Sequence, residues 1–276
     1  MQRSVVLALA FTLLLLTGIT TPGAAQTPSS LAYWQFSLGQ TITPLGGPVP
    51  DWRFNIGAGV ITQPEYEGAK RYDVLPSGIV DIRYKNVAFA SDGEGIGVNL
   101  LQGTTYRAGI AMSYDVGRGN TDDPRLRTLP TIGITPEVKL FAEYFFLPFV
   151  LTANVRQGIT GHQGLIGDLG AYVPIPLGSS LYLFAGPTVT FANREYMRSY
   201  FGVTPDEALN SPLRPYAPGG GIKSTGFGLS AAYLLTDNWV IVANSAYERL
   251  LGEAGNSPIV EDKSQFVANL NLVYHF

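Results

Sequence analysis

Strict alternation of apolar and polar residues runs through segment after segment of this chain, and this period of two constrains the fold more than any other feature. From Trp52 to Ile61, the apolar Phe54 and Ile56 fall on one face, and the polar Arg53 and Asn55 fall on the other. A period of two is the pattern of a β-strand with one face turned towards an apolar medium. The sequence therefore predicts an all-β chain.

Twelve segments carry this pattern. They are Trp52 to Ile61, Gly78 to Tyr84, Val87 to Ser91, Ile96 to Leu101, Tyr106 to Asp115, Ile132 to Tyr144, Phe149 to Arg156, Gly164 to Val173, Leu181 to Phe191, Phe227 to Leu235, Trp239 to Tyr247 and Phe266 to Phe276. Tight links such as Lys85-Asn86 alternate with long ones such as Val116 to Pro130, and the short turn from Asp92 to Gly95 is the exception. Short turns on one rim, long loops on the other and an even strand number are typical of a transmembrane antiparallel up-and-down β-barrel.

The N-terminus predicts export. Residues 1–25 resemble a signal peptide, because Arg3 is followed by an apolar core from Val5 to Leu16 and then by small residues. This core is too short to span a bilayer, which takes about 20 residues. Charged residues make up 14% of the chain, against about 25% in typical soluble domains. We therefore expect an outer-membrane protein.

Composition also excludes several kinds of site. The chain has no cysteine, so disulfides, thiolate zinc sites, iron-sulfur clusters and cysteine nucleophiles are excluded. A net charge of −3 argues against a nucleic-acid-binding protein, which would carry a basic face. We expect no cofactor.

Aromatic placement separates the membrane barrel from a soluble alternative. A soluble sandwich or lipocalin-like barrel would show the same alternation, so strand pattern alone leaves both open. Aromatic residues, however, fall near both rims, as in the girdles of membrane barrels. Those near the short-turn rim are Trp52, Tyr84, Tyr144, Phe145, Phe146, Trp239, Tyr274 and Phe276, and those near the other rim are Tyr66, Tyr72, Tyr114, Tyr247 and Phe266.

The last segment resembles the C-terminal assembly signal of bacterial outer-membrane proteins. Its outward residues alternate and end on an aromatic residue: Phe266, Leu270, Leu272, Tyr274 and Phe276. Recognition by the barrel-assembly machinery follows from this resemblance, and outer-membrane lipid and lipopolysaccharide are the expected surroundings.

The segment Gln26 to Asp51 precedes the first strand and contains four prolines. We expect a periplasmic N-terminal arm or plug, with an extra strand-like segment as a further alternative. The predicted organisation is therefore a signal peptide (1–25), an arm (26–51) and a barrel (52–276).

Charged residues on the polar faces are predicted to point into the lumen. They are Arg53, Asp81, Arg83, Arg107, Asp115, Glu137, Lys139, Glu143, Arg156, Asp168 and Glu248. Nearly balanced charges of this kind either lock into salt-bridge networks or line a narrow water-filled passage. Packing is favoured because the bulky Phe141, Tyr172 and Phe184 are also predicted to face inward.

No set of residues predicts catalysis or metal binding. Neither His162 nor His275 has a serine and an acid nearby in sequence, so we expect a solvated loop histidine and a satisfied lumen histidine. Asp122-Asp123 shares a loop with Arg118, Arg125 and Arg127 and could bind a divalent ion or lipopolysaccharide phosphates. Two adjacent carboxylates are a poor calcium motif, so an exposed, solvated loop is the prediction.

Short motifs in a characteristic order run from Trp52 to the C-terminus. They are Pro64-Glu65-Tyr66-Glu67-Gly68, Leu75-Pro76, Gly95-Ile96-Gly97-Val98-Asn99-Leu100, Tyr114 with Gly117-Arg118, Tyr196 with Tyr200-Phe201-Gly202-Val203, Tyr247 with Arg249-Leu250, Gly252, Ala254, Ser257-Pro258-Ile259-Val260, and Tyr274 with Phe276. In these motifs the chain resembles the MipA/OmpV family of outer-membrane proteins, the family of the MltA-interacting protein. Residues 26–51 lie outside the resemblance.

The resemblance implies a non-enzymatic scaffold, because the family prototype is associated with a lytic transglycosylase and a penicillin-binding protein in murein turnover. Other members are linked to adhesion, osmotic response or antibiotic susceptibility, and the family has no agreed catalytic residues. The first hypothesis is therefore a scaffold that binds murein enzymes through its periplasmic turns and arm. The alternatives are a narrow channel for small solutes and, ranked below it, an adhesin and a lipid-modifying enzyme that uses His162.

Overall fold

A closed antiparallel barrel forms the fold, and each strand pairs with its neighbours in chain order. The computed structural model describes residues 51–119, 123–146 and 148–276. Within these ranges the strands are β1 (Trp52–Pro64), β2 (Tyr72–Tyr84), β3 (Ala88–Ser91), β4 (Gly95–Gln102), β5 (Tyr106–Asp115), β6 (Thr135–Phe146), β7 (Phe149–Gly158), β8 (Leu165–Leu177), β9 (Leu181–Ala192), β10 (Gly221–Leu234), β11 (Trp239–Leu250) and β12 (Ser264–His275). β1 pairs with β12, from Asn55 opposite His275 to Thr62 opposite Ala268. This pairing joins the two ends of the sheet.

The predicted fold class and all twelve predicted strands are confirmed, but several strands are longer than the alternation indicated. β2 begins at Tyr72 and β10 begins at Gly221, six residues before each predicted start. In β10, the pairing register with β9 shifts between Ile222 and Ser224, which breaks the period of two. In β2, an apolar residue, Leu75, lies on the inward face, and a proline, Pro76, lies on the outward face. The apolar–polar alternation is therefore not visible in this part of the sequence.

Apolar side chains cover the outside of the barrel, and polar side chains fill much of the inside. The outward Val74 and Leu270 are 74% and 53% exposed, whereas the inward Asp81 and Asn271 are buried. A soluble barrel would bury its apolar face inward, so this arrangement is that of a transmembrane barrel. Within the described residues, no helix is long and apolar enough to cross a membrane.

Exposed aromatic side chains lie at both ends of the strands. Near the short turns they include Trp52, Tyr144, Phe146, Trp239 and Phe276, and near the long loops they include Tyr72, Tyr114, Tyr247 and Phe266. Phe145 is an exception, since it lies on the lumen face of β6 and packs against an inward apolar cluster. Tyr66 is a second exception, since it is only 1% exposed. Its assignment to the outer girdle was wrong, because its loop folds inward over the barrel.

Five loops on the rim opposite the chain termini fold together, and we call them the cap. They are residues 65–71, 116–119 with 123–134, 159–164, 193–220 and 251–263. The termini of outer-membrane barrels lie on the periplasmic side, so the cap is extracellular. The fourth of these loops ends at Gly220, so Lys223 lies in β10.

Within the described residues, three short helices shape the cap: α1 (Arg194–Phe201), α2 (Pro205–Leu209) and α3 (Gly252–Gly255). The side chain of Asn193 caps α1 by accepting a hydrogen bond from the Tyr196 N–H. Thr204 and Glu207 form a capping box at the start of α2. One face of α1 is apolar and packs down onto the barrel mouth.

The cap has its own apolar core in two clusters. On α1, Tyr196, Met197, Tyr200 and Phe201 pack with Leu250 and neighbouring residues. The second cluster draws on four cap loops and comprises Tyr66, Ala69, Leu126, Leu129, Val203, Leu213 and Ile259. Each of the named residues is at most 8% exposed. The loops therefore pack against one another and do not extend separately into solvent.

Candidate functional site

An ion-paired chain of side chains runs along the lumen face of the wall from β2 to β6. Arg83 lies 3.0 Å from Asp81 and 2.9 Å from Glu94. Arg107 lies 3.0 Å from Glu94 and makes two 2.7 Å hydrogen bonds to the carboxylate oxygens of Glu143. Glu94 therefore joins two arginines that sequence reasoning placed separately. It was missed because it lies in the turn between β3 and β4, outside the alternating segments.

A second charged group lies across β6, β7 and β8. Arg156 Nη2 lies 2.9 Å from Asp168, and Arg156 Nη1 lies 3.7 Å from Glu137. Thr190 donates a 2.7 Å hydrogen bond to Asp168. Lys139 lies on the same face of β6, between Glu137 and Glu143. At the periplasmic end, Arg53 donates to Asn86 at 2.8 Å, and His275 is hydrogen-bonded to Asn55 at 2.7 Å.

Apolar side chains fill space between these charged groups. Phe89 and Phe141 make an edge-to-face contact at 5.6 Å, and each ring lies under an arginine guanidinium, that of Arg83 or Arg107. A further layer is built from Ile61, Val150, Tyr172, Phe184, Ala246 and Val267, and another from Ile79, Ala232, Val240, Val242 and Val273. The lumen therefore contains packed layers as well as charges.

A buried charge triad lies directly beneath the cap. Lys223 Nζ contacts the carboxylate of Glu67 and lies 3.1 Å from Oε1 of Glu248. The side chains of all three are at most 2% exposed. Burial raises the pKa of Glu67, and the nearby Lys223 opposes that shift. Glu248 was predicted to face the lumen, but Glu67 and Lys223 were not, since both lay in segments that carry no alternation.

A polar cluster ties three cap loops together. Tyr66 donates to Asp123 at 2.9 Å, and Arg125 lies 2.6 Å from Asp123 and 3.4 Å from Glu261. Burial disfavours the charged carboxylate, but hydrogen bonds from Arg125 and Tyr66 hold the pKa of Asp123 below its usual value. Arg118 is buried and donates to the Tyr200 carbonyl at 2.9 Å.

The expectation that this loop is exposed was therefore wrong for Asp123 and Arg118. Both find partners in cap loops that are distant in sequence. Arg127 is exposed, and Asp122 lies outside the described residues.

His162 is buried rather than solvated, which corrects the sequence-based expectation. It is 2% exposed and packs against the rings of Tyr196 and Tyr200. Its Nε2 lies 3.3 Å from Oε1 of Glu137. A histidine held here has no access to lipid, so the hypothesis of a lipid-modifying enzyme loses its central residue. Ser199 donates to the main-chain carbonyl of His162 and not to its ring.

Ligand atoms of Asp115, Glu137 and His162 lie within 4.8 Å of one another, close enough to consider a metal ion. The Nδ1 atom of His162 accepts a 2.9 Å hydrogen bond from the Gly164 N–H, so Nδ1 carries no proton. A neutral imidazole then carries its proton on Nε2, the nitrogen that faces Glu137. Metal-binding histidines donate their second ring N–H to an acceptor, which is the opposite arrangement. The residues therefore do not fit a metal site.

Zinc is expected to leave the stability of the folded barrel unchanged. If zinc did bind, a free zinc concentration of about 100 times its Kd would stabilise the folded protein by about 2.7 kcal/mol. Urea unfolding detects a change of that size. The measurement is urea unfolding with and without zinc, with His162→Ala as the control. A zinc-dependent stabilisation in the parent that disappears in His162→Ala would contradict the assigned tautomer.

Comparison with known proteins identifies the family. The family model described as "MltA-interacting protein MipA" matches residues 56–276, which is most of the chain. The chain belongs to the MipA family. Its homologues named as outer-membrane proteins and its transmembrane barrel place it in the outer membrane.

Three relatives of this MipA-family barrel are similar over most of their length. Outer membrane protein Omp26La of Vibrio anguillarum is 28% identical, with 75% of this chain and 81% of the relative covered. Outer membrane protein OmpV of Vibrio cholerae is 26% identical, with 82% and 86% covered. The MltA-interacting protein of Escherichia coli is 24% identical, with 81% and 90% covered.

Among solved structures, the NanC porin aligns with a TM-score of 0.42 at 8% identity, and the alignment covers 80% of this chain and 98% of the porin. The names of the relatives describe outer-membrane proteins and an interaction partner, not an enzyme.

Proposed function

We propose that this barrel is a non-enzymatic scaffold that holds periplasmic murein-cleaving and murein-synthesising enzymes at the outer membrane. The observation that carries the proposal is the closure of the barrel: ion pairs and apolar layers fill the lumen, and a packed cap covers its extracellular mouth. A barrel with these features offers its rims, rather than its lumen, as working surfaces. One relative is named for its interaction with MltA, which supports a protein partner.

The N-terminal arm is the proposed contact. The periplasmic turns are short. The turn between β8 and β9, for example, consists only of residues 178–180. Short turns offer little surface to a partner, whereas residues 26–51 provide a segment with the aromatic Tyr33, Trp34 and Phe36. Aromatic residues are frequent anchors in protein interfaces. The arm lies outside the described residues apart from Asp51, so its role rests on sequence and position.

Deleting residues 26–51 is expected to abolish co-purification of a lytic transglycosylase or a penicillin-binding protein. The signal peptide is kept, and heat-modifiable migration on a gel establishes that the deleted form still folds. Replacing Pro205–Leu209 with a glycine-serine segment is the matched control, because α2 lies on the extracellular side. If the deletion binds as well as the parent, the arm is not the contact, and if the parent binds neither enzyme, the scaffold proposal fails.

A further inference from the structure

One hairpin of the barrel is too short to cross the membrane. β3 has four residues, which extend for about 13 Å at the usual rise per residue. A tilted transmembrane strand needs about 9–11 residues. The hairpin starts at the periplasmic rim, where Ala88 pairs with Tyr84. Its turn, Asp92 to Glu94, lies beside Val80, eight residues below Tyr72 on β2. On the β2 side, the wall above the turn therefore lacks two strands within the membrane depth.

The gap has four sides, and we call it the lateral window. On one side, β2 pairs with β3 only from Asp81 to Tyr84 but continues to Tyr72. On the other side, β5 continues for only three residues, Ser113 to Asp115, beyond its pairing of Met112 with Ile96, so the gap narrows towards β5. Among the described residues, no strand pairs with these upper segments across the gap. The hairpin turn forms the floor.

The cap forms the roof of the lateral window. The loop that leaves β5 packs Leu126 and Leu129 against Tyr66 and Ala69, which lie in the loop between β1 and β2. The same loop is fixed by the hydrogen bond from Tyr66 to Asp123. Described residues therefore frame the window on all four sides, in the extracellular half of the wall.

The edge of β2 that borders the window cannot pair fully with an added strand. Val80 donates to Oδ1 of Asp92 at 3.3 Å and accepts from the Asp92 N–H at 3.1 Å, so its backbone groups point towards the window. Alternate residues of an antiparallel strand direct these groups to the same side, which places Gly78, Pro76 and Val74 on this edge. Pro76 has no N–H to donate, and proline on an edge blocks pairing with another chain.

The frame is apolar outside and polar inside. Val74, Ile96 and Met112 face the bilayer and are 74%, 65% and 47% exposed. Behind them lie Glu94, paired with two arginines, and Asp115, which accepts a hydrogen bond from Tyr200. Gly78 faces outward, and a Cβ added there would meet one atom within 4 Å, the Gly57 carbonyl oxygen at 3.8 Å, so a larger side chain fits at this edge.

We propose that the lateral window admits the uncharged head group of an amphiphile from the outer leaflet while its hydrocarbon portion stays in the bilayer. The apolar frame suits the chain, and irregular backbone at membrane depth needs polar partners, which a head group supplies. Because the charges behind the window are already paired with one another, the head group needs uncharged hydrogen-bonding atoms. Pro76 excludes the other occupant of a strand edge, an extended peptide.

Single cysteines and a lipophilic thiol reagent test the proposal directly. The chain has no cysteine, so one introduced thiol is the only reporter. Ser77 is lumen-facing beside the window, Ser230 is lumen-facing on another part of the wall, and Ser245 faces lipid on β11. Each is changed to Cys, and the barrel in liposomes is treated with N-dodecylmaleimide, an amphiphile with an uncharged reactive head. We expect Ser77→Cys to react at least about tenfold faster than Ser230→Cys, because alkylation needs access to the thiol.

A blocking variant with its control, and a water-soluble reagent, separate the proposed route from other routes to the thiol. Gly78→Phe in the Ser77→Cys background should slow the labelling, whereas Ala231→Phe, a lipid-facing change on β10, should leave it unchanged. A water-soluble sulfonated maleimide tests the aqueous route. Labelling of Ser77→Cys by the water-soluble reagent alone, or equal rates at Ser77→Cys and Ser230→Cys, would overturn the proposal. Ser245→Cys must react in every case, which establishes that the lipophilic reagent is present in the bilayer.

Discussion

Replacing Lys223 with Met is expected to destabilise the barrel by about 3–5 kcal/mol, because it leaves two buried carboxylates without the cation that contacts both. Lys223 contacts Glu67 and Glu248 in a site from which water is excluded. Methionine keeps most of the side-chain length, so the loss is one of charge rather than volume. The measurement is urea unfolding of the refolded barrel in liposomes.

Two matched variants identify the cause of that loss. Lys70→Met removes the same charge from an exposed position in the same cap loop as Glu67, and it should change stability by less than about 0.5 kcal/mol. Adding Glu67→Gln and Glu248→Gln to Lys223→Met should restore much of the stability, since no unpaired charge then remains. Parent-like unfolding of Lys223→Met would show that the triad does not hold the cap.

The refolded barrel is expected to give no reproducible current steps in a planar bilayer. An ion would have to pass the cap core around Tyr200 and Phe201, and then the bidentate pair of Arg107 and Glu143. Charges bound to one another in this way do not offer a hydrated path. The measurement is single-channel recording after heat-modifiable migration has established that the barrel is folded.

A general porin in the same bilayers serves as the positive control for insertion. Steps from the parent that change in size in Arg107→Ala would place an open path through the lumen. That outcome would favour the channel hypothesis and remove the observation on which the scaffold proposal rests.

The barrel strands were predictable from the sequence because each strand carries its own alternation of apolar and polar side chains. A strand in lipid must present every second side chain to hydrocarbon, so the pattern of β5 alone gave both of its ends, Tyr106 and Asp115. The same alternation predicted that Arg107 and Glu143 share the lumen, and the structure pairs them across β5 and β6. Where a bulge or a proline interrupts the alternation, as in β10 and β2, the predicted ends were short.

The cap was not predictable in the same way, because its contacts join residues far apart in the chain. Lys223 and Glu67 are 156 residues apart, and neither lies in an alternating segment. The burial of His162 depends on α1, which the sequence does indicate: Asn193 precedes a segment in which Tyr196, Met197, Tyr200 and Phe201 have helical spacing. Its apolar face could have been recognised, but the surface it covers could not.

The interlocked cap also carries information about the order of assembly. Tyr66, near the start of the barrel, has its hydroxyl 3.4 Å from the Ile259 carbonyl oxygen. The Gly68 N–H donates to Gln265 at the start of β12, so these contacts span almost the whole barrel. Contacts between such distant residues form late, because the intervening chain must first be ordered. The cap therefore becomes complete only once the last strand has joined the first. Protease resistance of the extracellular surface is thus expected only of a fully closed barrel. Assembly intermediates in which β1 and β12 have not yet paired would lack it.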